Sequence, residues 1–104
     1  MNKELEKINN EQLQLIPKVQ EYIQYMLENL IKLPRTEKFS IGNEYKCSMY
    51  KLLEYILYVS KIEKEQRLEY INKIDAELNC QRIYLRIMYK NKWINDKKFN
   101  VSIT

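Results

Sequence analysis

The segment LPRTEKFSIGNEY, residues 33 to 45, decides the fold of this chain. It contains Gly42, the single glycine, and Pro34, one of two prolines, and it joins two long stretches of apolar pattern. The residue before a proline is pushed out of the α region, so a first helix must end near Leu33. Ser40 is a preferred N-cap residue, whose side-chain oxygen we expect to accept a backbone N–H of the next turn. The segment therefore predicts a connector between two helices.

Apolar residues recur at helical spacing on both sides of this connector. The pattern predicts four helices, the last only as a start, over residues 13–32, 41–61, 64–91 and 95–104. Pro17 fits the first turn of the first helix, whereas it would kink a helix that began earlier. One glycine and two prolines are too few turn signals for many short strands. We therefore expect an all-α single domain over residues 1–104, an antiparallel up-and-down bundle of the four-helix type with its fourth helix short or truncated.

The third predicted helix carries apolar residues on two faces. Its first face has Ile71, Ile74, Leu78, Leu85 and Met88, and its second has Cys80, Ile83, Tyr84 and Ile87. A helix that is apolar most of the way round is normally buried on two sides. The other helices of a small bundle cover one side, so the second side needs a fourth helix or a second subunit.

Composition argues against most enzyme classes. The chain has no histidine, which is the commonest general base and a frequent zinc ligand, and its one glycine cannot build a phosphate loop. We expect a non-enzymatic protein without a cofactor or metal. Cys47 and Cys80 are isolated, so we expect small buried hydrophobes rather than a disulfide or metal pair. No apolar run could span a bilayer and the polar start is not a secretory signal, so we expect no membrane contact and a cytoplasmic location.

The positive charge is concentrated near the C-terminus. Residues 82–104 carry six basic residues against one acid, whereas residues 1–81 carry twelve basic and thirteen acidic residues. Arg82, Arg86 and Lys90 follow one another at i, i+4 and i+8, a spacing that can track a phosphate backbone. The alternatives are a solvated face, or salt bridges inside the bundle such as Asp75 with Arg82. The candidate nucleic-acid-binding residues are Arg35, Lys38, Arg82, Arg86, Lys90 and Lys92.

Several short matches resemble the accessory variability determinant (Avd) proteins of diversity-generating retroelements. They are Leu33-Pro34-Arg35, Lys38-Phe39, Gly42, Leu52-Leu53-Glu54, Glu77-Leu78, Arg82, Leu85-Arg86 and Lys92-Trp93-Ile94. The resemblance covers roughly residues 13–99. A sister group, the proteins encoded by intervening sequences in bacterial 23S rRNA genes, shares the bundle and a similar connector, but its later small-residue motif is not seen in this sequence.

The resemblance implies a non-enzymatic role. Avd proteins are basic four-helix bundles that assemble as a ring-like pentamer. They associate with the reverse transcriptase of the element, bind RNA or DNA, and support mutagenic copying of a template RNA. Family members continue the last helix well beyond Thr104, which puts bundle closure and assembly in question for this chain. The alternatives are a protein of the 23S rRNA intervening-sequence type, or a structural oligomerisation module without a nucleic-acid role.

Overall fold

A computed structural model describes the backbone of residues 2–94 and the side chains of residues 14–94. Within that part the chain is helical and has no strand. Its elements are α1 (Asn2–Leu30), the short α2 (Arg35–Lys38), α3 (Ile41–Val59) and α4 (Lys64–Lys90). The all-α prediction is confirmed, with three long helices in the described part. The fourth helix, predicted to start at residue 95, lies outside the described residues.

The predicted start of the first helix is wrong. The helix α1 begins at Asn2 instead of residue 13, ends at Leu30 instead of residue 32, and contains Pro17 in its interior. Residues 2–12 include two Lys, three Glu, one Leu and one Gln, which are good helix formers, and contain no glycine or proline. These residues extend the helix although a proline removes one backbone donor. The ends of α3 and α4 agree with the predicted ends within two residues.

The connector folds tightly against the start of α3. The N–H groups of Glu37 and Lys38 both donate to the carbonyl oxygen of Pro34, at 2.9 and 3.0 Å. A Cβ added to Gly42 would lie 3.1 Å from Leu33 Cδ1 and 3.2 Å from the carbonyl oxygen of Glu37. Only glycine therefore fits this approach without a shift of its neighbours.

Ser40 is the N-cap residue of α3, as predicted, but the expected bond from its side chain to the helix backbone is absent. Its hydroxyl instead donates to Glu37 Oε2 at 3.0 Å. The backbone of Ser40, at φ −114° and ψ −94°, lies outside the extended conformation that an N-cap residue normally adopts, so its side chain does not accept from the first turn of α3. The prediction of the position was correct, and that of the bond was wrong.

The core lies where α3 packs against both α1 and α4. Its buried apolar members are Val19, Ile23, Met26, Leu30, Leu33, Tyr45, Met49, Leu52, Leu85 and Met88. Later residues of α3 pack against earlier residues of α4. Tyr45, near the start of α3, contacts Tyr84, with ring centroids 6.4 Å apart. Tyr55, further along α3, contacts Tyr70, which comes earlier in α4, with ring centroids 6.0 Å apart. The predicted apolar stripes of the first and second helices supply most of this core, and Leu85 and Met88 of the third predicted helix and Leu33 of the connector complete it.

Five polar side chains form a continuous hydrogen-bonded chain through the core. The Tyr22 hydroxyl lies 2.5 Å from that of Tyr45 and donates to Gln81 Oε1 at 2.6 Å. Gln81 Nε2 donates to Ser48 Oγ at 3.1 Å, and Ser48 Oγ donates to Glu77 Oε2 at 2.6 Å. Burial raises the pKa of both tyrosine hydroxyls, so they stay protonated at neutral pH. This series of hydrogen bonds joins α1, α3 and α4.

The two cysteines are not buried, contrary to the prediction. Cys47 and Cys80 are free and exposed. Cys47 precedes the buried Ser48 and faces away from the core, and Cys80 lies on the second apolar face of α4. Tyr84 on this face packs against Tyr45 of α3, but Cys80 itself is exposed, so the apolar pattern alone overstated the burial of this face.

Candidate nucleic-acid interface

The predicted basic ridge is present on α4. Arg82, Arg86 and Lys90 are all exposed. A rise of about 1.5 Å per residue separates successive members by about 6 Å along the helix axis. The regular backbone of α4 therefore presents the three cations in sequence along one side.

These cations are not neutralised by the salt bridges that were the alternative interpretation. Arg82 Nη1 donates to Asn79 Oδ1 at 3.4 Å, and Asn79 Nδ2 donates to Asp75 Oδ2 at 3.3 Å. Asn79 thus stands between Asp75 and Arg82. Arg86 and Lys90 form no ion pair with any side chain in the described range 14–94. The ridge keeps its positive charge available to a partner.

Lys92 extends the charge beyond the end of α4. It has φ 61°, in the left-handed region that favours glycine. Its N–H donates to the carbonyl oxygen of Tyr89 at 3.0 Å, and the N–H of Trp93 donates to that of Met88 at 3.0 Å. These two bonds are the Schellman motif, which terminates a helix and satisfies its last carbonyl groups. The half-buried Trp93 packs against the core and anchors this turn.

The connector cations lie at the same end of the molecule. Arg35 is exposed and Lys38 is half-buried. The connector packs on Gly42 at the start of α3, and Tyr45, one turn further, meets Tyr84 near the end of α4. The structure thus brings the two groups of predicted residues to one end of the helix pair, although no contact joins them.

The second apolar face of α4 is exposed next to the basic ridge. Ile83 and Ile87 are 51% and 41% exposed. They alternate along the helix with Arg82, Arg86 and Lys90, so a single surface offers cations and apolar side chains side by side. The predicted two-faced pattern is confirmed only in part. Tyr84 of the second face packs against Tyr45 of α3, and Ile71 of the first face is exposed.

A groove between α1, α3 and α4 was missed by the sequence reasoning. Its volume is about 450 Å³, and its walls are mostly apolar. Val19, Leu52 and Leu85 contribute to the walls, whereas Lys18 and Arg82 place two cations beside the opening. The sequence did show apolar residues at these positions of the helices. It could not show the groove, because the groove exists only where the spacing between the packed helices leaves a gap.

No group of three or more metal-binding side chains occurs among the described residues. Within the same part, none of the helices has the length and hydropathy that crossing a membrane requires.

The fold and surface define a class: a helical protein with a cationic ridge that has no ion pair among the described side chains, beside an exposed apolar stripe. The chain belongs to the bAvd-like family, whose family model matches residues 13–103. The resemblance to Avd proteins found in the sequence is thereby confirmed. No curated protein matches the chain, and no solved structure matches it.

Proposed function

We propose that this chain is a non-enzymatic accessory protein of a diversity-generating retroelement, which binds nucleic acid and the reverse transcriptase of that element. The observation that carries the nucleic-acid part is the ridge of Arg82, Arg86 and Lys90, exposed and without ion pairs in the described part of the chain. Such a ridge gives sequence-independent affinity, because each cation that meets a phosphate releases a counterion. Family membership supports the accessory role.

Lys92 supports the same proposal from its backbone. A lysine in the left-handed region costs about 1 kcal/mol relative to glycine, which most helix ends of this type use. Strained residues of this kind cluster at functional positions. A cation at position 92 continues the ridge past the last turn of α4, which accounts for a lysine where glycine fits better.

Anisotropy of a labelled single-stranded RNA tests the nucleic-acid part. We expect affinity to fall steeply as salt rises, with a slope of about −0.7 per phosphate contact. Arg86→Glu is expected to weaken binding by about tenfold or more without changing the melting temperature, since the side chain is exposed. Lys64→Glu is the matched control, because it reverses an exposed charge at the other end of α4. Salt-insensitive binding, or equal losses in both variants, would contradict the proposal.

We further propose that the complete fold is an antiparallel up-and-down four-helix bundle. The paired contacts of α3 and α4 support this arrangement. In such a bundle the fourth helix packs between the first and third long helices. The apolar groove between α1, α3 and α4 lies at the position that such a fourth helix would occupy. A helix there would cover the exposed Leu15 and the half-buried Ile74 and Leu78, and would close the core.

A second candidate function is self-assembly, and the exposed Ile83 and Ile87 favour it. Burying this stripe between subunits would satisfy the second apolar face of α4, in a pentamer if the assembly follows the resemblance. Light scattering coupled to size-exclusion chromatography measures the state directly. We expect Ile83→Glu to shift the protein toward smaller species. A wild-type monomer at micromolar concentration would reject self-assembly and leave the nucleic-acid proposal standing.

A further inference from the structure

Three tyrosines form a cluster of aromatic rings where α3 ends and α4 begins, at the end of this helix pair opposite the basic ridge. Tyr58 of α3 stacks on Tyr70 of α4, with ring centroids 5.2 Å apart and ring planes inclined by 26°. Tyr55 meets the same Tyr70 ring edge-on, at 6.0 Å. We propose that this tyrosine cluster is a stacking platform for the unpaired bases of a single-stranded nucleic acid. The inference rests on the proposed function and deepens it, because it names the form of nucleic acid that is bound.

The tyrosine cluster offers an open ring on a rigid support. Tyr58 is 49% exposed although Tyr70 covers one side of its ring, so the exposed part includes the side that faces away from Tyr70. Tyr55 and Tyr70 are half-buried, and the two helices fix all three rings. A ring held in this way loses little conformational entropy when a planar ligand stacks on it. A tyrosine that only joined the two helices would gain most free energy from full burial, so its exposure favours a ligand.

Lys73 places a positive charge beside these rings. Its ammonium nitrogen lies 4.8 Å from the ring centroid of Tyr70 and 5.8 Å from that of Tyr55. The same nitrogen lies 3.6 Å from the carboxylate of Glu69, but an ion pair at the surface contributes little and is screened by salt. Lys51, one turn before Tyr55, is exposed on the same side of α3. Cations among aromatic rings are typical of single-strand binding surfaces, where ammonium groups meet phosphates and rings meet bases.

The surroundings of the tyrosine cluster favour a nucleobase over an apolar pocket of a protein partner. The exposed aliphatic side chains in this part of α3 and α4 are Leu57, Leu68 and Ile71. Each of them lies at least about 100° around its helix from the clustered tyrosine nearest to it in sequence. They therefore do not join the rings in one apolar patch. The ammonium group beside the rings would be costly to bury in an apolar pocket, whereas it attracts a phosphate.

Anisotropy with one RNA sequence, presented as a single strand and as a duplex, tests the platform. We expect Tyr58→Ala to weaken single-strand binding by about fivefold or more, the cost of one lost base stack, and to leave duplex binding unchanged. Tyr58→Phe keeps the ring and should keep the affinity. The matched control is Tyr50→Ala, which removes another tyrosine of α3 that is 50% exposed and lines a different groove, beside α1. Arg86→Glu, on the ridge, should weaken binding of both RNA forms.

A fluorescent purine analogue in the single strand reports stacking without any substitution. We expect its emission to fall when the wild-type chain binds, because stacking on an aromatic ring quenches such a base. Lys73→Ala leaves all three rings in place, so it should keep this quenching and lower the salt slope of single-strand binding by about 0.7. This measurement stands even if Tyr58→Ala lowers the melting temperature.

Each other result has a definite meaning. Single-strand affinity and quenching that are the same in Tyr58→Ala and wild type overturn the platform and leave the ridge intact. An equal loss for single strand and duplex shows that the tyrosine cluster does not contact bases, and it also rejects the inference. Absence of binding of either RNA form by the wild-type chain overturns both the platform and the proposed function. A change of oligomeric state in Tyr58→Ala assigns the tyrosine cluster to a second copy and rejects the inference.

Discussion

Tyr45 donates its hydroxyl hydrogen to Tyr22, and a carboxylate on another helix sets this direction. The carboxylate of Glu77 can only accept, so Ser48 must direct its hydrogen there. Ser48 therefore accepts from the Gln81 amide nitrogen, which leaves Gln81 Oε1 to accept from Tyr22. The single hydrogen of Tyr22 is then committed, and Tyr45 must supply the bond between the two tyrosines.

This direction predicts unequal effects of two similar substitutions. Tyr45→Phe removes the first donor and one hydrogen bond, which costs about 1 kcal/mol of unfolding free energy. Tyr22→Phe leaves the fully buried Tyr45 hydroxyl without an acceptor and Gln81 Oε1 without a donor, which costs about 2 to 3 kcal/mol. Urea unfolding at one protein concentration measures both values. Equal losses of unfolding free energy, or a larger loss for Tyr45→Phe, would contradict the assignment of Tyr45 as the donor to Tyr22.

The same two tyrosines predict a loss of stability at alkaline pH. Burial raises the pKa of both hydroxyls above 10, the ordinary tyrosine value, whereas in the unfolded chain they ionise near 10. The unfolded state therefore binds fewer protons above pH 10, and stability falls as pH rises. Each buried tyrosine contributes a slope of about 1.4 kcal/mol per pH unit. Unfolding free energies from pH 8 to about 11 should show this decline.

Two phenylalanine variants provide the control for the alkaline decline. Tyr45→Phe and Tyr22→Phe should each make the decline shallower, because each removes one buried hydroxyl whose pKa is raised. A decline that is identical in all three proteins would assign it to other groups.

Gly42→Ala is expected to destabilise the protein by about 1 kcal/mol, although alanine is the better helix former. The new Cβ would press on the Glu37 carbonyl at 3.2 Å and on Leu33 at 3.1 Å. That carbonyl also accepts the N–H of Ser40, so the backbone cannot yield freely. Asn43→Ala, at an exposed position of the same turn, is the control and should be neutral or slightly stabilising. The melting temperatures of the two variants, compared with that of the wild type, test this prediction. A higher melting temperature for Gly42→Ala would show that the connector shifts to accommodate the new Cβ.

Lys92→Gly is expected to stabilise the protein relative to Lys92→Ala by about 1 kcal/mol, because only glycine adopts φ 61° without a steric cost. Both variants remove the same charge, so both should reduce the salt slope of RNA binding by about 0.7. Comparing the two separates the backbone cost from the function of the cation. Equal stabilities would mean that the turn relaxes in the alanine variant.

The exposed cysteines allow self-assembly to be measured chemically. We expect Cys47 to react with a thiol reagent at one rate at all protein concentrations, since it is exposed on α3 and is not part of the exposed stripe of α4. Cys80 lies on the exposed stripe with Ile83 and Ile87, so its rate should fall as subunits associate. Ile83→Glu should restore the fast rate at high concentration. Cys80 that reacts equally fast under every condition would place any subunit contact elsewhere.

The sequence by itself determined the three long helices, apart from the start of the first, and the exposed charges of α4. Helical periodicity is local, so the stripe of Tyr45, Met49 and Leu52 and the ridge of Arg82 and Arg86 could be read without knowing what they face. The break at Pro34 was equally local, because it follows from the steric effect of the proline ring.

Only the tertiary structure decided which polar and small side chains are buried. Gln81 is 2% exposed although its type belongs at the surface, because Ser48 and Tyr22, 33 and 59 residues away in sequence, supply its partners. Cys80 is exposed although its type belongs inside, because no described helix covers its position on α4. Burial depends on which helices meet and on what hydrogen bonds they offer each other, and the order of residues along one helix does not contain that information.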